Sequence, residues 1–91
     1  MGYKIIKDVI NAGEEVTLLG REYEDYQGGK ARYRLLDDDG NVYFYIMSDV
    51  DYNTTGGTEE QLFAPVDRFM YSYGVTTIQF KDSDDGKYKT L

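Results

Sequence analysis

Carboxylates are the side chains of this sequence with the greatest capacity for chemistry. The 91 residues include 17 Asp and Glu but no His and no Cys. Without His the chain lacks the commonest general base and transition-metal ligand, and without Cys it has neither a thiolate nucleophile nor a disulfide. The carboxylates themselves could supply metal binding by oxygen ligands or acid–base catalysis by paired carboxylates.

The run 37–40, Asp-Asp-Asp-Gly, is the densest group of potential metal ligands. A calcium-binding EF-hand loop needs oxygen ligands at positions 1, 3 and 5, Gly at position 6 and Glu at position 12. With Gly40 at position 6, position 1 is Leu35 and position 12 is Ile46. Since neither side chain supplies the required oxygen, the run is interpreted as a turn, and neither a metal nor another cofactor is predicted.

Catalysis by paired carboxylates needs one of the pair to have a raised pKa, which burial provides. A chain of this length buries only about 60 to 65% of its unfolded surface and builds one modest core. The Gly-rich segment 54–60, TTGGTEE, lacks the Lys-Ser/Thr ending of a phosphate-binding loop. The sequence therefore predicts that the protein is not an enzyme.

Segments 30–36 and 42–48 flank the Asp-Gly turn and alternate in the manner of the two strands of a hairpin. Asp-Gly is a favoured centre for a two-residue turn because both positions need positive φ angles. A turn centred on Asp39 and Gly40 places the apolar residues of both strands on one face, which a one-residue slip would destroy. The predicted opposing pairs are Leu35 with Phe44, Tyr33 with Ile46, Arg34 with Tyr45, and Leu36 with Tyr43.

The segments before this hairpin are predicted to be a helix and a strand. Ile6, Val9 and Ile10 recur at helical spacing, so residues 3–12 are predicted to form a short amphipathic helix. A strand is the alternative there, because Ile and Val also favour strands. Residues 14–20 are predicted to form the first strand.

The segment after the hairpin is predicted to be a loop over 49–58 followed by a helix. The sequence TEEQ at 58–61 matches a capping box, which opens helices. Pro65 costs about 3 kcal/mol inside a helix but little in its first turn. The regular helix is therefore predicted over 65–73, with Gly74 ending it.

The last segment is predicted to be a second hairpin. Residues 75–81 form its first strand, and a turn at Asp85-Gly86 returns the C-terminus to the sheet. This turn pairs Asp82 with Lys89, and Phe80 with Leu91. The whole chain, residues 1–91, is predicted to be a single acidic globular domain of the α+β class. It has an antiparallel sheet of about five strands and two short helices, in the order α-β-β-β-α-β-β.

The charge balance excludes one class of partner, because the net charge is −7. A protein that binds nucleic acid directly is expected to be basic, so direct nucleic-acid binding is not predicted. Lys4, Lys7 and Asp8 interrupt any N-terminal apolar run, and no stretch reaches the ~20 apolar residues of a membrane span. A cytoplasmic protein with no membrane partner is expected.

The outer face of the predicted hairpin has two interpretations that the sequence leaves open. A helix covers it as a second core, with the arginine stems reaching outward, or it is an exposed surface that binds a partner. The second interpretation follows from composition, since Tyr, Met and Arg are enriched at interface centres. The residues of this face are Arg32, Arg34, Leu36, Tyr43, Tyr45 and Met47.

The acidic loops also have two interpretations, a solvated surface or a carboxylate array that imitates phosphates. The hairpin DDDGNVYFYIMSD at 37–49 and the closing segment TIQFKDSDDGKYKTL at 77–91 bear on this choice. They resemble segments of small acidic proteins that phages and other mobile elements encode to block host nucleic-acid enzymes. Uracil-DNA glycosylase inhibitors and several anti-CRISPR proteins belong to that group.

This resemblance implies a protein that occludes a basic surface on a host protein acting on nucleic acids. The predicted partner-binding residues are five acids with two tyrosines as apolar anchors: Glu22, Glu24, Asp25, Asp49, Asp51, Tyr43 and Tyr45. The alternative function is a small β-rich adaptor or scaffold domain that binds a peptide or assembles with copies of itself. The sequence leaves the partner's identity and the oligomeric state open.

Overall fold

The computed structural model of the chain describes residues 1–52 and 58–91, so the predicted loop at 49–58 lies partly outside the described residues. These residues form one antiparallel sheet of six strands and a single helix, with the strand order β2-β1-β4-β3-β5-β6. The α+β class with an antiparallel sheet is therefore confirmed, whereas the predicted strand number and the second helix are wrong. The elements are β1 (Tyr3–Asp8), β2 (Glu22–Tyr23), β3 (Ala31–Leu36), β4 (Val42–Ser48), α1 (Glu59–Tyr73), β5 (Thr77–Lys81) and β6 (Tyr88–Thr90).

The predicted N-terminal helix is in fact strand β1. Tyr3 and Ile5 are buried and alternate with the half-buried Lys4, while the helix-spaced Val9 and Ile10 are exposed beyond the strand. β1 pairs with β4 along one edge and with β2 along the other. Pairing on both sides satisfies its backbone, and this tertiary context overrides a weak helical pattern.

The predicted strand at 14–20 is also wrong, because this segment forms a loop that is tied to the end of β1. The buried Asp8 carboxylate accepts hydrogen bonds from the backbone N–H groups of Asn11 and Leu18, at 3.0 and 2.8 Å. Val16 is 69% exposed, so the apolar residues of this segment do not share a buried face. Only Glu22–Tyr23 then joins the sheet, as the short edge strand β2.

The register of the β3–β4 hairpin is confirmed for Leu35 with Phe44, Tyr33 with Ile46 and Arg34 with Tyr45. The turn itself differs from the prediction, since Gly40 donates to the Asp37 carbonyl and Asp37 donates to the Asn41 carbonyl. These bonds enclose a three-residue loop in which only Gly40 has a positive φ, of 84°.

A bulge in β4 compensates for the extra loop residue. Leu36 pairs with Val42 and not with Tyr43 as predicted. The next pair is Leu35 with Phe44, so Tyr43 is the extra residue of β4. The longer loop displaces the strands by one position and the bulge returns them. The apolar sets therefore still meet on one face, as burial requires.

Helix α1 begins at Glu59, so the predicted start at residue 65 is wrong. The predicted capping box is confirmed, since Thr58 accepts from the N–H of Gln61 and the Gln61 side chain accepts from the N–H of Thr58. Gly74 ends the helix as predicted, with a φ of 79°. Pro65 is buried inside the helix, where packing of its apolar face offsets the missing N–H.

The core lies between α1 and one face of the sheet. Phe44 on the central strand β4 is its largest fully buried side chain. Its ring centroid lies 5.1 Å from that of Phe69 and 5.2 Å from that of Tyr73, both on α1. The other buried apolar residues of this core are Tyr3, Ile5, Tyr33, Leu35, Ile46, Val50, Leu62, Val66, Val75 and Ile78.

The closing hairpin forms, but its register differs from the prediction by two residues. Phe80 pairs with Lys89 and not with Leu91, and Asp82 donates to the carbonyl of Lys87 and not of Lys89. The Asp82 carboxylate accepts from the N–H of Asp84, which stabilises a longer loop than the predicted two-residue turn. Because the shift is two residues, each side chain keeps its predicted face.

The φ of Gly40 generates the first prediction. A Cβ at this position would meet nothing within 4 Å, so any cost of substitution comes from the backbone conformation alone. We expect Gly40→Val to lower the free energy of unfolding by about 1–2 kcal/mol, because a β-branched residue resists positive φ. In a domain of this size, each kcal/mol of lost stability lowers Tm by roughly 4–8 °C. Thermal unfolding by circular dichroism measures the loss.

The control for this prediction is Gly40→Asn, because Asn tolerates the left-handed region far better than Val. It should retain most of the stability of the wild-type protein. Equal melting temperatures for the Val and Asn variants would show that the turn does not depend on the φ of residue 40.

Candidate partner-binding surface

The sheet has a second face, which we name the open face, on the side opposite α1. It includes the residues that the cross-strand register places on the same side as Arg34 and Tyr45: Lys4, Lys7, Arg32, Arg34, Tyr45, Met47, Gln79, Lys81 and Tyr88. All of them are half-buried or exposed. The helix packs on the Phe44 side, so the interpretation in which a helix covers this face is wrong for the described residues.

Cross-strand pairing arranges the open face in two rows. In the first row, Lys4 pairs with Met47 and Met47 pairs with Arg32. Lys81 is next in register beyond Arg32, and Tyr88 pairs with Lys81.

The second row lies one step along the strands. Lys7 pairs with Tyr45, Tyr45 with Arg34, and Arg34 with Gln79. In both rows a cation lies on either side of a large side chain of β4, Met47 in one and Tyr45 in the other.

Contacts between tyrosines and cations hold these side chains in place. The Arg34 guanidinium lies 4.5 Å from the ring centroid of Tyr88, and its Nε donates to Gln79 Oε1 at 2.6 Å. Lys7 Nζ lies 5.6 Å from the ring centroid of Tyr45, and the Tyr45 and Tyr88 rings meet edge to face at 5.9 Å. Side chains ordered in this way lose little further entropy when a partner binds.

The open face is cationic although the protein is acidic. Five of the ten Lys and Arg of the chain lie on it: Lys4, Lys7, Arg32, Arg34 and Lys81. Among the described residues, Lys4, Lys7, Arg32 and Arg34 form no ion pair within 4 Å. Carboxylates border the face instead, with Glu22 on β2 and further acids at the two hairpin turns.

The tyrosines predicted as anchors do not lie together. Tyr45 is on the open face, but Tyr43 follows the bulge in β4 and packs against the helix-side core. The Tyr43 hydroxyl donates to the Asp37 carboxylate, which raises the pKa of the tyrosine. The bulge adds one residue to β4, and this extra residue moves Tyr43 out of the alternation that the sequence suggested.

The predicted acids gather at the end of the sheet where β1 begins and β4 ends. Glu22 is in β2, directly opposite Lys4, and Glu24 and Asp25 follow in a turn with φ angles of 54° and 61°. Asp51 lines a cavity of about 320 Å³ that Arg32 and Lys81 also line. Glu22, Glu24 and Asp25 are therefore grouped at the β2 edge, whereas Asp51 lies on the β3–β5 side and Tyr45 pairs with Lys7 at the far end of β1.

Asp49 has a structural role that the sequence did not reveal. Its carboxylate accepts hydrogen bonds from the backbone N–H groups of Gly2 at 2.8 Å, Gln27 at 2.7 Å and Gly29 at 2.7 Å. Burial opposes its ionisation, but these three donors outweigh burial and hold the pKa of the Asp49 carboxyl below its usual value. Asp49 thus fixes the loop before β3 to the start of β1, because Gln27 and Gly29 lie in that loop and Gly2 lies directly before β1.

Glu24 also has a partner within the fold. It forms an ion pair with Arg68 of α1, whose Nε donates to the Tyr3 hydroxyl at 2.9 Å. The Arg68 guanidinium lies 4.8 Å from the ring centroid of Tyr23. Burial raises the pKa of Tyr3 to about 12, although Arg68 opposes the shift. These contacts connect the helix to strands β1 and β2.

The run of aspartates at 37–39 forms the β3–β4 turn, and Asp37 stabilises it. The Asp37 carboxylate accepts from the N–H groups of Asn41 and Asp39, from the Asn41 side chain and from the Tyr43 hydroxyl. The Asn41 donors are the main reason that the pKa of Asp37 is lowered. In residues 1–52 and 58–91, no group of three Asp or Glu side chains is arranged to hold a metal ion.

Several open-face residues were missed in the sequence, and the reason differs between them. Lys4 and Lys7 were assigned to a helix, and their place on the sheet follows only once β1 is a strand. Lys81 and Tyr88 alternate with Phe80 and Lys89 in the closing hairpin, so their face was available from the sequence. That these residues share a face with Tyr45 depends on the strand order, which the sequence does not specify.

Comparison of the chain with protein-family models, with curated protein sequences and with solved structures finds no match. In the described part of the chain, no helix is both long and apolar enough to cross a membrane.

The hydrogen bonds of Asp49 generate the second prediction. We expect Asp49→Asn to lower the free energy of unfolding by about 1–2 kcal/mol at pH 7, because one carboxylate oxygen is replaced by a donor that faces backbone N–H groups. Since the pKa of Asp49 is lowered in the folded state, its contribution is present above the unfolded pKa of about 3.9 and is lost as the pH falls through the folded pKa. The difference between wild type and variant should therefore shrink below about pH 4.

Denaturant unfolding at a series of pH values measures this difference. Asp25→Asn is the control, because Asp25 lies in the same region and Asn tolerates its positive φ. If Asp49→Asn unfolds at the same denaturant concentration as wild type at pH 7, Asp49 does not anchor the loop.

Proposed function

We propose that the protein is a non-enzymatic binding domain that contacts a protein partner through the open face of its sheet. The observation that carries this proposal is that α1 covers the opposite face, which leaves Tyr45, Met47 and the arginines in contact with solvent. Tyr, Met and Arg are the residues enriched at the centres of protein interfaces. A chain with neither His nor Cys has little catalytic chemistry to compete with this function.

The arrangement of the open face supports contact with a partner over a broad surface. Its residues come from β1, β4, β3, β5 and β6, so the face spans about 19 Å across the strands at roughly 4.8 Å per strand. Arg34 on β3 lies at the middle of this span, with Tyr45 and Met47 on the neighbouring strand β4. Central Tyr and Arg side chains are the usual hot spots of binding energy, and surrounding residues exclude water from them.

Photo-cross-linking gives the third prediction. A photoreactive benzoylphenylalanine at Met47, on the open face, should capture a specific protein from a bacterial extract. The same group at Met70, an exposed methionine on α1, should not capture that protein. Mass spectrometry of the cross-linked bands measures the difference.

The control compares two methionines of the same chain, so the labels differ only in the face that they report. The proposal is wrong if the Met47 label captures no protein, or if both labels capture the same proteins equally.

A second candidate function is occlusion of a basic surface on a host protein that acts on nucleic acids. The group of acids at the end of the sheet favours it, since Glu22, Glu24 and Asp25 are all exposed there. The resemblance to small acidic inhibitors from phages and mobile elements also supports it. Under this proposal the protein acts in the cytoplasm, and carboxylates speed its association with the partner.

The fourth prediction tests this second function. With the protein captured by the cross-linking experiment as partner, Glu22→Gln combined with Asp25→Asn should slow association roughly threefold or more at low salt. The effect should fade at high salt, because screening shortens the range of the lost charges. Stopped-flow fluorescence measures the association rate.

Glu14→Gln combined with Glu15→Gln is the matched control, because it removes the same charge from an exposed segment away from β2. Asp49 is left unchanged because it has a structural role. Equal rates for the two double variants would show that the acids at the end of the sheet do not steer the partner.

A further inference from the structure

The open face has a charge pattern that specifies a kind of partner, and this inference rests on the binding function proposed above. We infer that the open face receives a short acidic segment of a partner protein, in which carboxylates are interspersed with apolar side chains.

The rows alternate charge with apolar surface. Lys4 and Arg32 lie on either side of Met47, and Lys7 and Arg34 lie on either side of Tyr45. Strands are about 4.8 Å apart, so the cations of each row are separated by roughly 10 Å. An extended segment advances about 3.3 Å per residue, so carboxylates two or three residues apart reach both cations while an apolar side chain contacts the strand between them.

Four cations of the open face, Lys4, Lys7, Arg32 and Arg34, form no ion pair within 4 Å among the described residues, although the protein has a large excess of carboxylates. Arg68 and Lys89 are each paired with Glu or Asp. In contrast, Arg34 is held by Tyr88 and Gln79, and Arg32 has no ion pair among the described residues. A guanidinium fixed in this way is suited to bidentate recognition of a carboxylate.

The length of the anionic segment is limited by the extent of the cations, and acids lie at several margins of the face. Glu22 borders it on β2, the run 37–39 lies at the β3–β4 turn, and Asp84 and Asp85 lie at the β5–β6 turn. The cations extend from β1 to β5, which are three strand spacings or about 14 Å apart. Only about four or five extended residues fit this distance, and beyond β1 the segment meets the carboxylate of Glu22.

These features favour a protein segment over a single-stranded nucleic acid. A nucleic acid carries uniform charge past the cationic patch and over the acidic border, where it is repelled. Its bases also need open aromatic faces for stacking. Here Lys7 lies over Tyr45 and Arg34 lies over Tyr88, so both rings already have a cation against one face.

The inference is tested by titrating the ¹⁵N-labelled protein at low salt with three probes. The first is a capped peptide containing Glu-Leu-Asp-Leu-Glu, and the second is its amide counterpart, Gln-Leu-Asn-Leu-Gln. The third is an oligothymidylate of nine nucleotides. We expect only the acidic peptide to shift the amide signals of β1, β3 and β4 in a saturable manner.

A double variant and a matched control locate the binding surface. Arg32→Gln combined with Arg34→Gln should weaken binding of the acidic peptide at least tenfold. Arg21→Gln combined with Lys87→Gln makes the same change in net charge at exposed positions outside the open face, and should bind like wild type. Unchanged spectra of the free variants elsewhere in the chain show that each is folded.

Each other outcome overturns the inference. These outcomes are equal binding of the amide peptide, tighter binding of the oligothymidylate, equal loss in both double variants, or no saturable shift at millimolar peptide. Shifts that depend on protein concentration alone would assign the face to a second copy of the chain. If cross-linking through Met47 succeeds while the peptide fails to bind, the binding function stands and only the acidic partner is wrong.

Discussion

The packing of helix α1 on Phe44 is the contact on which the rest of the structure depends. Phe44 is in β4, at the centre of the sheet, and its ring meets Phe69 and Tyr73 of the helix. A sheet has two faces, and one helix of 15 residues covers only one of them. Because α1 is the only helix of the described residues and packs on the Phe44 side, most side chains that alternate with the core keep contact with solvent, and most of them are polar, charged or amphipathic.

Two arginines show how the same contact serves two purposes. Arg68 lies over Tyr23 and also bonds Glu24 and Tyr3, so its charge is neutralised and it links the helix to the sheet. Arg34 lies over Tyr88 in a similar way, but no carboxylate of the described residues pairs with it. The Arg34 guanidinium therefore has no carboxylate partner among the described residues, and the functional proposals for the open face start from this difference.

The sequence predicted the part of the structure that depends on neighbouring residues. The alternation around Asp39 and Gly40 located the β3–β4 hairpin and its core register, although the loop is longer and a bulge compensates for it. It also placed Arg32, Arg34, Tyr45 and Met47 on one face. It did not reveal that Asp49 binds three backbone N–H groups, because these donors come from residues 2, 27 and 29 and only tertiary structure brings them together.

The sequence by itself thus determined the α+β class, the central hairpin, and the capping box and final Gly of the helix. These features follow from local periodicity and from the conformations that individual residues allow. The tertiary structure decided that β1 is a strand, that one face stays open, and that Lys4 and Lys7 join Tyr45 there. Residues such as Ile5 and Ile6 fit a helix or a strand almost equally well, so the pairing of β1 with β4 made the choice.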